Sequence, residues 1–410
     1  MNYVIIGNSA AAVGAVEGIR SRDPAGQIVM ISKEPHHTYS RPLISYLLCG
    51  KTDLTRMKYR PDSFYQDNHV RTMLGRTVAA LDPAEKQVVL ENGETVKYDR
   101  LLAATGSSPF IPPMQGLDAV RQKFTFMTLD DALSLERALT CRSRVLIIGA
   151  GLIGLKCAEG IYGKCAQITV VDLAHRILPS ILDETGAGMV QSYLEDKGLR
   201  FVLGQSVARF EGDCAILPDG GRIDFDVLVV AVGVRANTAV LETAGAQVSR
   251  GVKTDLHCRT TLQDVYAAGD CAQSHDLVSD TDCVLALLPN AYMQGFCAGV
   301  NMAGGDQKFE TAMPMNAMGL LGLHIITAGR CEGQSDVVVQ KDNYKRLCYH
   351  DDRLFGYILI GNVERAGIYT ALIREKTPLS SIDFELIKQQ PQLMAFSKRK
   401  RAEHLGGYRG

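Results

Sequence analysis

One glycine-rich segment, residues 145–172, constrains the fold of this chain more than any other part of it. It reads VLIIGAGLIGLKCAEGIYGKCAQITVVD, with the pattern GxGxxG at Gly149, Gly151 and Gly154 and an acid, Asp172, at its end. Apolar runs bounded by glycine are typical of buried parallel strands. The order predicts a strand, a glycine turn, a helix and a second strand, which together bind the pyrophosphate of a dinucleotide at the helix N-terminus.

Each glycine has a separate expected task. Gly149 permits the sharp turn, Gly151 lets a pyrophosphate approach the backbone, and Gly154 lets helix and strand pack closely. Asp172 is expected to accept hydrogen bonds from the adenosine ribose and to repel a 2′-phosphate, which favours NADH over NADPH. The alternative is a strand–helix–strand unit that binds no ligand.

A similar but degenerate segment opens the chain. The strand-like run Tyr3–Gly7 is followed by Ser9 and Ala12 at positions where glycines are usual. Because small residues keep the backbone accessible, phosphate binding remains the expectation. Glu34, which follows the next apolar run, is a candidate ribose ligand, and a plain loop acid is the alternative.

Three further segments carry residues suited to a bound cofactor. Arg41 precedes Pro42, so we predict an extended turn in which the guanidinium binds a diphosphate. Thr105 and Gly106, followed by several prolines, mark a crossover into another domain. In DVYAAGDCA, Asp270 can accept hydrogen bonds from a polyol.

Composition narrows the class of protein. A chain of 410 residues predicts two or three domains, and 44 basic against 45 acidic residues argue against nucleic-acid binding. No apolar run reaches the roughly 18 residues of a membrane span, and no signal peptide is recognised. Eleven cysteines show no CxxC pair and no metal-ligand spacing, so we expect no metal site, reduced core thiols and a cytoplasmic protein. The basic cluster Lys398–Arg401 is predicted to be a solvated tail.

The motifs occur in an order that resembles the pyridine nucleotide-disulfide oxidoreductase superfamily, flavoproteins with two dinucleotide-binding domains. The shared segments are the N-terminal fingerprint, YSRP, ATG with its prolines, GAGLIG with a later acid, AVGVRAN and YAAGDCA. Within it, EPHHTYSRPLIS and MNAMGLLGLHIITAG look most similar to NADH:rubredoxin reductases and the flavin module of assimilatory NADH nitrite reductases.

The resemblance implies an α/β fold with two Rossmann-like domains and a small C-terminal α+β domain. The implied FAD-binding domain is discontinuous, residues 1–112 and 236–311, with the NAD-binding domain, residues 113–235, inserted in it. Residues 312–410 form the C-terminal domain.

The resemblance also assigns residues to FAD and NADH. The implied ligands of the ADP half of FAD are Gly7, Ser9, Ala12 and Glu34. Those of its diphosphate are Arg41 and Pro42. The flavin chain is expected beside Thr105 and Gly106, and the ribitol beside Asp270. For NADH the implied ligands are Gly149, Gly151, Gly154 and Asp172.

Two departures from the family pattern bear on mechanism. A redox-active CxxxxC near residue 40 is missing, and Cys49 in ISYLLCG resembles instead the single cysteine of NADH oxidases, NADH peroxidases and coenzyme A-disulfide reductases. A buried helix cysteine is the alternative for Cys49. Many relatives pair a lysine and a glutamate near flavin N5, whereas the corresponding residues here are Tyr46 and Lys156. We expect Lys156 to stabilise reduced flavin, with a surface lysine as the alternative.

Two functions are therefore considered. The first is an NADH-dependent FAD enzyme that passes electrons to a rubredoxin, a ferredoxin or an iron–sulfur or metal redox subunit, in either direction, as a homodimer or within a larger redox complex. The second is an NADH oxidase, peroxidase or coenzyme A-disulfide reductase that uses Cys49.

Overall fold

The computed structural model describes residues 1–396, and the chain divides into two compact units. The first unit comprises residues 1–177, 195–276 and 281–312. The second comprises residues 178–194, 277–280 and the chain from residue 313 onward. The basic cluster Lys398–Arg401 lies outside the described residues. No helix within residues 1–396 is long and apolar enough to cross a bilayer.

The first unit contains a sheet of five parallel strands, here called the first sheet. In spatial order its strands are Val265–Ala267, Arg100–Ala103, Asn2–Ile6, Gln27–Ser32 and Val70–Leu74. Apolar side chains on both faces of these strands are buried, which is why the strands appear in the sequence as continuous apolar runs.

Two helices, Ala10–Arg20 and Leu288–Met302, pack closely together in the core that covers one face of the first sheet. A Cβ atom on Gly14 would lie 2.2 Å from the carbonyl oxygen of Tyr292, and one on Gly295 would lie 2.0 Å from that of Ala11. Glycine is therefore required on both helices for this approach of the two backbones.

A second sheet of five parallel strands belongs to the same unit. In spatial order its strands are Arg200–Leu203, Gln167–Asp172, Arg144–Ile148, Val227–Val230 and Lys123–Phe124. Two helices accompany it, Leu129–Ala138 and Leu152–Ile161. The first begins with a capping box in which Thr128 and Asp131 satisfy each other's backbone N–H groups.

Short elements complete the first unit. Antiparallel strands form four small sheets: Val78–Asp82, Gln87–Leu90 and Thr95–Lys97; Arg209–Phe210, Cys214–Ile216 and Arg222–Asp224; Ser107–Pro109 and Val234–Ala236; Ser274–Asp276 and Thr281–Cys283. The short α-helices are Ile44–Leu48, Phe64–Asp67 and Ala239–Thr243, and the 3₁₀ turns are Arg41–Leu43 and Leu117–Ala119.

The second unit is built on an antiparallel sheet of five strands. In spatial order they are Met315–Leu320, Leu323–Gly329, Arg353–Ile360, Asn343–His350 and Gln334–Gln340. Its helices are Ala366–Arg374, Phe384–Gln389 and most of Glu184–Asp196, with 3₁₀ turns at Leu379–Ser381 and Leu393–Ala395. Two parallel sheets followed by this antiparallel sheet confirm the predicted α/β fold class with a C-terminal α+β part.

Candidate cofactor site

In the glycine turn of the second sheet, Gly149 and Gly154 are tightly surrounded by backbone atoms, whereas Gly151 faces open space. A Cβ atom on Gly149, whose φ is +114°, would lie 2.3 Å from the carbonyl oxygen of Ala231, and one on Gly154 would lie 1.9 Å from that of Gly149. A Cβ atom on Gly151 would meet nothing within 4 Å. This open space at the start of helix Leu152–Ile161 provides room for a phosphate beside unpaired backbone N–H groups.

Asp172 ends the strand beside this turn and helps to shape it. One carboxylate oxygen accepts a hydrogen bond from the N–H of Ala150 at 2.5 Å, and the other accepts from the N–H of Ala174 at 2.8 Å. Each carboxylate oxygen has a second lone pair. Asp172 can therefore hold the glycine turn and still accept a hydrogen bond from a ligand.

The turn of the first sheet repeats this geometry with larger residues. Gly7 has a φ of +129°, and a Cβ atom there would lie 2.1 Å from the carbonyl oxygen of Ala104. Ser9 is the N-cap residue of helix Ala10–Arg20, and Ala12 is fully buried. The two residues that replace glycines thus occupy the helix start and the helix–strand contact.

Strand register identifies a residue that the sequence interpretation missed. Ile6 lies opposite Ile31 in the first sheet, as Ile148 lies opposite Val171 in the second. The residue that corresponds to Asp172 is therefore Ser32, the last residue of its strand, and Glu34 lies two residues beyond it. No sequence signal points to it: a hydroxyl residue at a strand end is not recognisable by itself, and Ser32 lies 25 residues after Gly7 whereas Asp172 lies 23 after Gly149.

A cavity that opens to solvent lies beside the first glycine turn. The residues that line it are Asn8, Ser9, Ser32, Glu34, His36, His37, Tyr39 and Arg41. The structure thus brings together three of the residues predicted to bind FAD, Ser9, Glu34 and Arg41, with polar neighbours that suit a nucleotide. His37 Nε2 is buried and has no hydrogen-bond partner among the described residues.

Glu34 and Arg41 contact each other within this cavity. One oxygen of Glu34 is ion-paired with Arg41, and the other accepts a hydrogen bond from the Tyr39 hydroxyl at 2.6 Å. The guanidinium has five N–H donors, so this ion pair leaves it with donors for a diphosphate.

The predicted extended turn at Arg41 is wrong. Residues Arg41–Leu43 form a 3₁₀ turn, and the extended residue is Ser40, with φ −79° and ψ 102°. The N–H of Leu43 donates to the carbonyl oxygen of Ser40 at 2.9 Å, which closes the turn. Pro42 fits inside it because the first positions of a helical turn need no N–H donor.

The turn after strand Val265–Ala267 presents Asp270. Its carboxylate accepts a hydrogen bond from the Ser107 hydroxyl at 2.9 Å. Burial raises the pKa of Asp270, and the hydrogen bond from Ser107 and the charge of Arg41 partly offset that rise. Gly269, with φ +81°, donates its N–H to the side-chain oxygen of Gln294 at 2.8 Å, which anchors the turn.

Thr105 and Gly106 lie where the chain leaves the first sheet. The Thr105 hydroxyl donates to the carbonyl oxygen of Asn237 at 2.7 Å, and the Asn237 side chain donates back to the carbonyl oxygen of Thr105 at 2.9 Å. This reciprocal pair joins the outgoing and returning connections between the two sheets. Gly106 has a φ of +67°, and no atom lies within 4 Å of where its Cβ would be.

Tyr46 and Lys156 belong to a compact charged cluster between helices Ile44–Leu48 and Leu152–Ile161. The Lys156 ammonium lies 4.3 Å from the centre of the Tyr46 ring and is ion-paired with Glu159. Lys51 approaches the same ring at 5.1 Å and the same carboxylate at 3.2 Å. Two lysines and one carboxylate give this cluster a net charge of +1.

The Lys156 side chain is only partly exposed. Its side chain is 19% exposed, and that of Glu159 is 2% exposed. A Cβ atom on Gly160 would lie 3.1 Å from the carbonyl oxygen of Ser45, so the two helices are in close contact here. The sequence interpretation missed Glu159, although an acid three residues after a lysine faces the same side of a helix.

Cys49 follows the last residue of helix Ile44–Leu48 and is partly exposed. Its thiol points to the carbonyl oxygen of Tyr46 at 3.6 Å. Cys49 is therefore partly exposed and not buried, although its N–H still donates to the carbonyl oxygen of Ser45 at 3.1 Å, as in a helix.

Comparison with known proteins agrees with this architecture. Residues 1–295 match the family Pyridine nucleotide-disulphide oxidoreductase, and residues 314–377 match the Rubredoxin NAD+ reductase C-terminal domain. The NADH-dependent phenylglyoxylate dehydrogenase subunit epsilon of Aromatoleum evansii is 32% identical over 394 residues, which cover 93% of this chain and 93% of that protein.

Two further matches differ in what they cover. The assimilatory nitrate reductase electron transfer subunit of Bacillus subtilis is 28% identical over 400 residues, 94% of this chain but 50% of that protein, so this chain spans about half of its length. The crystal structure of the covalent putidaredoxin reductase–putidaredoxin complex superposes with a TM-score of 0.88 at 22% identity, covering 99% of each chain, and shows the shared fold.

The resemblance inferred from the sequence motifs is thereby confirmed. Members of the matched family bind FAD and NAD(P)H. The chain therefore belongs to the pyridine nucleotide-disulphide oxidoreductase family, as an FAD-dependent NAD(P)H oxidoreductase with a C-terminal domain of the rubredoxin reductase type.

Proposed function

We propose that this protein takes electrons from NADH through FAD and passes them to an iron–sulfur or rubredoxin-type protein, either a separate acceptor or a partner subunit. The observation that carries the proposal is the rubredoxin reductase-type C-terminal domain at residues 314–377. Residues 1–112 contain a single cysteine, Cys49, so a CxxxxC disulfide relay has no place in this electron path. Two relatives are themselves named as subunits of larger enzymes, which supports the partner-subunit form.

The proposed NADH site is the glycine turn of the second sheet, within residues 113–235. The open space over Gly151 would receive the pyrophosphate, while Gly149 and Gly154 keep helix and strand close. The Asp172 carboxylate would accept hydrogen bonds from the ribose hydroxyls and would repel the 2′-phosphate of NADPH. NADH is therefore the proposed donor.

The proposed FAD site lies within residues 1–112 and 236–311. The first glycine turn, with Gly7, Ser9 and Ala12, would hold the ADP half beside Glu34 and Ser32. Arg41, preceding Pro42, would donate to the diphosphate.

The remaining FAD contacts come from the two ends of the inserted segment. Thr105 and Gly106 would lie beside the flavin chain, and the Asp270 carboxylate would accept hydrogen bonds from the ribitol. When bound, FAD accepts two electrons as hydride and releases them singly, which suits a one-electron protein acceptor.

The Lys156 cluster is the proposed electrostatic contribution of this chain. Its net positive charge, held between the two helices by Glu159 and the Tyr46 ring, would stabilise negative charge on the reduced flavin. Because the Lys156 side chain is 19% exposed, whereas that of Lys51 is 52% exposed, the field of Lys156 is screened less than that of a surface lysine. The direction of electron flow depends on the potentials of the partners, so reduction of NAD⁺ by a low-potential partner belongs to the same proposal.

A second candidate function uses Cys49, and its partial exposure near Lys51 favours it. In that case the thiol would act with the flavin on O₂, peroxide or coenzyme A disulfide. Anaerobic titration of the holoenzyme with NADH separates the two candidates. The electron-transfer proposal predicts simple bleaching of the flavin and unchanged turnover in Cys49→Ser, whereas a long-wavelength thiolate–flavin band that is lost in Cys49→Ser would contradict it.

A further inference from the structure

Two cysteines of the second unit, Cys331 and Cys348, lie close together. Cys331 is in the connection between strands Leu323–Gly329 and Gln334–Gln340, and Cys348 is in a different strand of the antiparallel sheet. Cys348 is on strand Asn343–His350, opposite Gly356 of strand Arg353–Ile360, and Gly356 lies opposite Gly329. A Cβ atom on Gly356 would lie 2.2 Å from the carbonyl oxygen of Arg330. The connection that follows Gly329 therefore crosses the sheet on the face to which Cys348 points, and it brings Cys331 over Cys348.

The same face of the strand carries two more polar side chains. Tyr344, Arg346 and Cys348 alternate along it and so share one side. The Arg346 guanidinium donates to the Asp183 carboxylate at 2.8 Å, and the Tyr344 hydroxyl donates to the same carboxylate. The Arg346 Nε atom is buried and has no hydrogen-bond partner among residues 1–396.

The two thiols are not equivalent. The interaction between them lowers the pKa of the Cys348 thiol and raises that of Cys331. The Arg346 guanidinium lowers the pKa of Cys348 further, whereas burial and the Asp183 carboxylate raise it. Cys331 is partly exposed, whereas Cys348 is fully buried. A solvent-borne reagent therefore reaches Cys331, and the negative charge is favoured on Cys348 behind it.

We propose that Cys331 and Cys348 form a redox-active dithiol that a small-molecule disulfide oxidises to an intramolecular disulfide. Cys348 begins as the thiolate and takes the proton of Cys331, the sulfur of Cys331 attacks the small disulfide, and one small thiolate leaves. That thiolate takes the proton from Cys348. The Cys348 thiolate then displaces the second small thiolate from Cys331, so two protein sulfurs are oxidised and both sulfurs of the small disulfide are reduced.

A second pair of hydrogen-bonded cysteines provides an internal comparison. Cys258 and Cys297 of the first unit lie near enough for each to shift the pKa of the other, and each is 1% exposed. The charged group that acts on both is the carboxylate of Asp255, which opposes thiolate formation. The two thiols of this pair are neighbours, as in the first pair, but neither is exposed to solvent and no cation among residues 1–396 lowers their pKa values.

The test is oxidation of the folded holoenzyme with graded oxidised glutathione, followed by peptide mapping of disulfides. We expect a link between Cys331 and Cys348 with loss of two free thiols, and no link between Cys258 and Cys297. In Cys348→Ser, glutathione should remain attached to Cys331, because the second thiolate is missing. In Cys331→Ser, neither the link nor an adduct on the buried Cys348 should form.

Arg346 supplies a readout that proximity alone would not give. Arg346→Met should slow formation of the link at neutral pH by about tenfold or more, because the Cys348 thiolate loses its cation, and Arg346→Lys should restore most of the rate. The proposal is overturned if the folded protein forms no link between Cys331 and Cys348, or if the sealed pair oxidises as fast. An unchanged rate in Arg346→Met would contradict the role of Arg346 as the cation that favours the Cys348 thiolate. Electron transfer from NADH is measured separately, so failure here leaves the proposed function standing.

Discussion

Asp172 holds the backbone of the second glycine turn and is also the proposed ribose ligand. Its two carboxylate oxygens accept hydrogen bonds from the backbone on either side, at Ala150 and Ala174, which fixes the carboxylate beside the glycine turn. A carboxylate fixed in this way discriminates against a ligand phosphate through charge, with little freedom to move aside.

We predict that Asp172→Asn shifts the preference from NADH towards NADPH. The substitution keeps one acceptor oxygen but removes the charge, and a hydrogen bond to a charged group contributes about 1.5 kcal/mol or more. The ratio of kcat/KM for NADH to that for NADPH should therefore fall about tenfold or more. Asp219→Asn is the matched control, because Asp219 is an exposed acid that also accepts from a backbone N–H, that of Gly221. An unchanged ratio in Asp172→Asn would contradict the proposed NADH site.

Some residues around the first glycine turn could be predicted from the sequence, and others could not. The fingerprint, Glu34 and Arg41 could be recognised from order and residue type, and the structure places Ser9, Glu34 and Arg41 around one cavity. Ser32 and the ion pair between Glu34 and Arg41 could not, because they depend on strand register and on how residues 33–41 fold back. Glu159 is buried and ion-paired with Lys156 of its own helix and with Lys51, which follows helix Ile44–Leu48 and lies 108 residues away in sequence.

At the scale of elements, helices Ile44–Leu48 and Leu152–Ile161 hold the charged cluster. Gly160 lets their backbones approach. Glu159 is ion-paired with Lys156 of its own helix and with Lys51, which follows helix Ile44–Leu48. A cation held in this way keeps its position when a neighbouring group changes charge, as electrostatic stabilisation requires.

We predict that Lys156→Met lowers the midpoint potential of the bound flavin. Removing one positive charge disfavours the anionic reduced form, and a change of about 1.4 kcal/mol corresponds to roughly 30 mV for a two-electron couple. Glu159→Gln should shift the potential in the opposite direction. Lys164→Met is the control, since Lys164 follows the same helix and pairs with Glu136 instead. Equal potentials for the wild-type and Lys156→Met enzymes would rule out the proposed role of the cluster.

The contact between helices Ala10–Arg20 and Leu288–Met302 leads to a prediction about stability. Gly14→Ala would place a Cβ atom 2.2 Å from the carbonyl oxygen of Tyr292. Since a backbone carbonyl cannot move aside cheaply, the free energy of unfolding should fall by about 2 kcal/mol, measured by denaturant titration. Gly188→Ala is the control because its Cβ would meet nothing within 4 Å, and it should be neutral or stabilising. Equal losses in the two variants would show that helix crowding is not the cause.

For the whole molecule, motif order predicted the architecture well. Two strand–glycine–helix units and a later change to short strands were enough to predict two parallel sheets and a C-terminal antiparallel sheet. The grouping of residues 178–194 with the second unit could not be predicted. It depends on contacts such as that of Asp183 with Tyr344 and Arg346, which are distant in sequence.

Contacts between cysteines are another feature that the sequence does not predict. The cysteines were predicted to be reduced core thiols, and the structure has all eleven as free thiols, six of them buried. Counting and spacing cannot reveal that Cys331 meets Cys348, because a crossing connection over Gly356 brings them together. The two cysteine pairs therefore became visible only in three dimensions.

The central claim is that electrons from NADH leave the flavin to a protein acceptor without a thiol intermediate. The most direct test is the anaerobic, NADH-dependent reduction of a purified rubredoxin and of a small iron–sulfur protein by the holoenzyme and by Cys49→Ser. We predict that at least one of these acceptors is reduced faster than O₂ is consumed in air, at equal rates in the two enzymes. Failure to reduce either acceptor, combined with reduction of O₂, peroxide or coenzyme A disulfide that is lost in Cys49→Ser, would contradict the account.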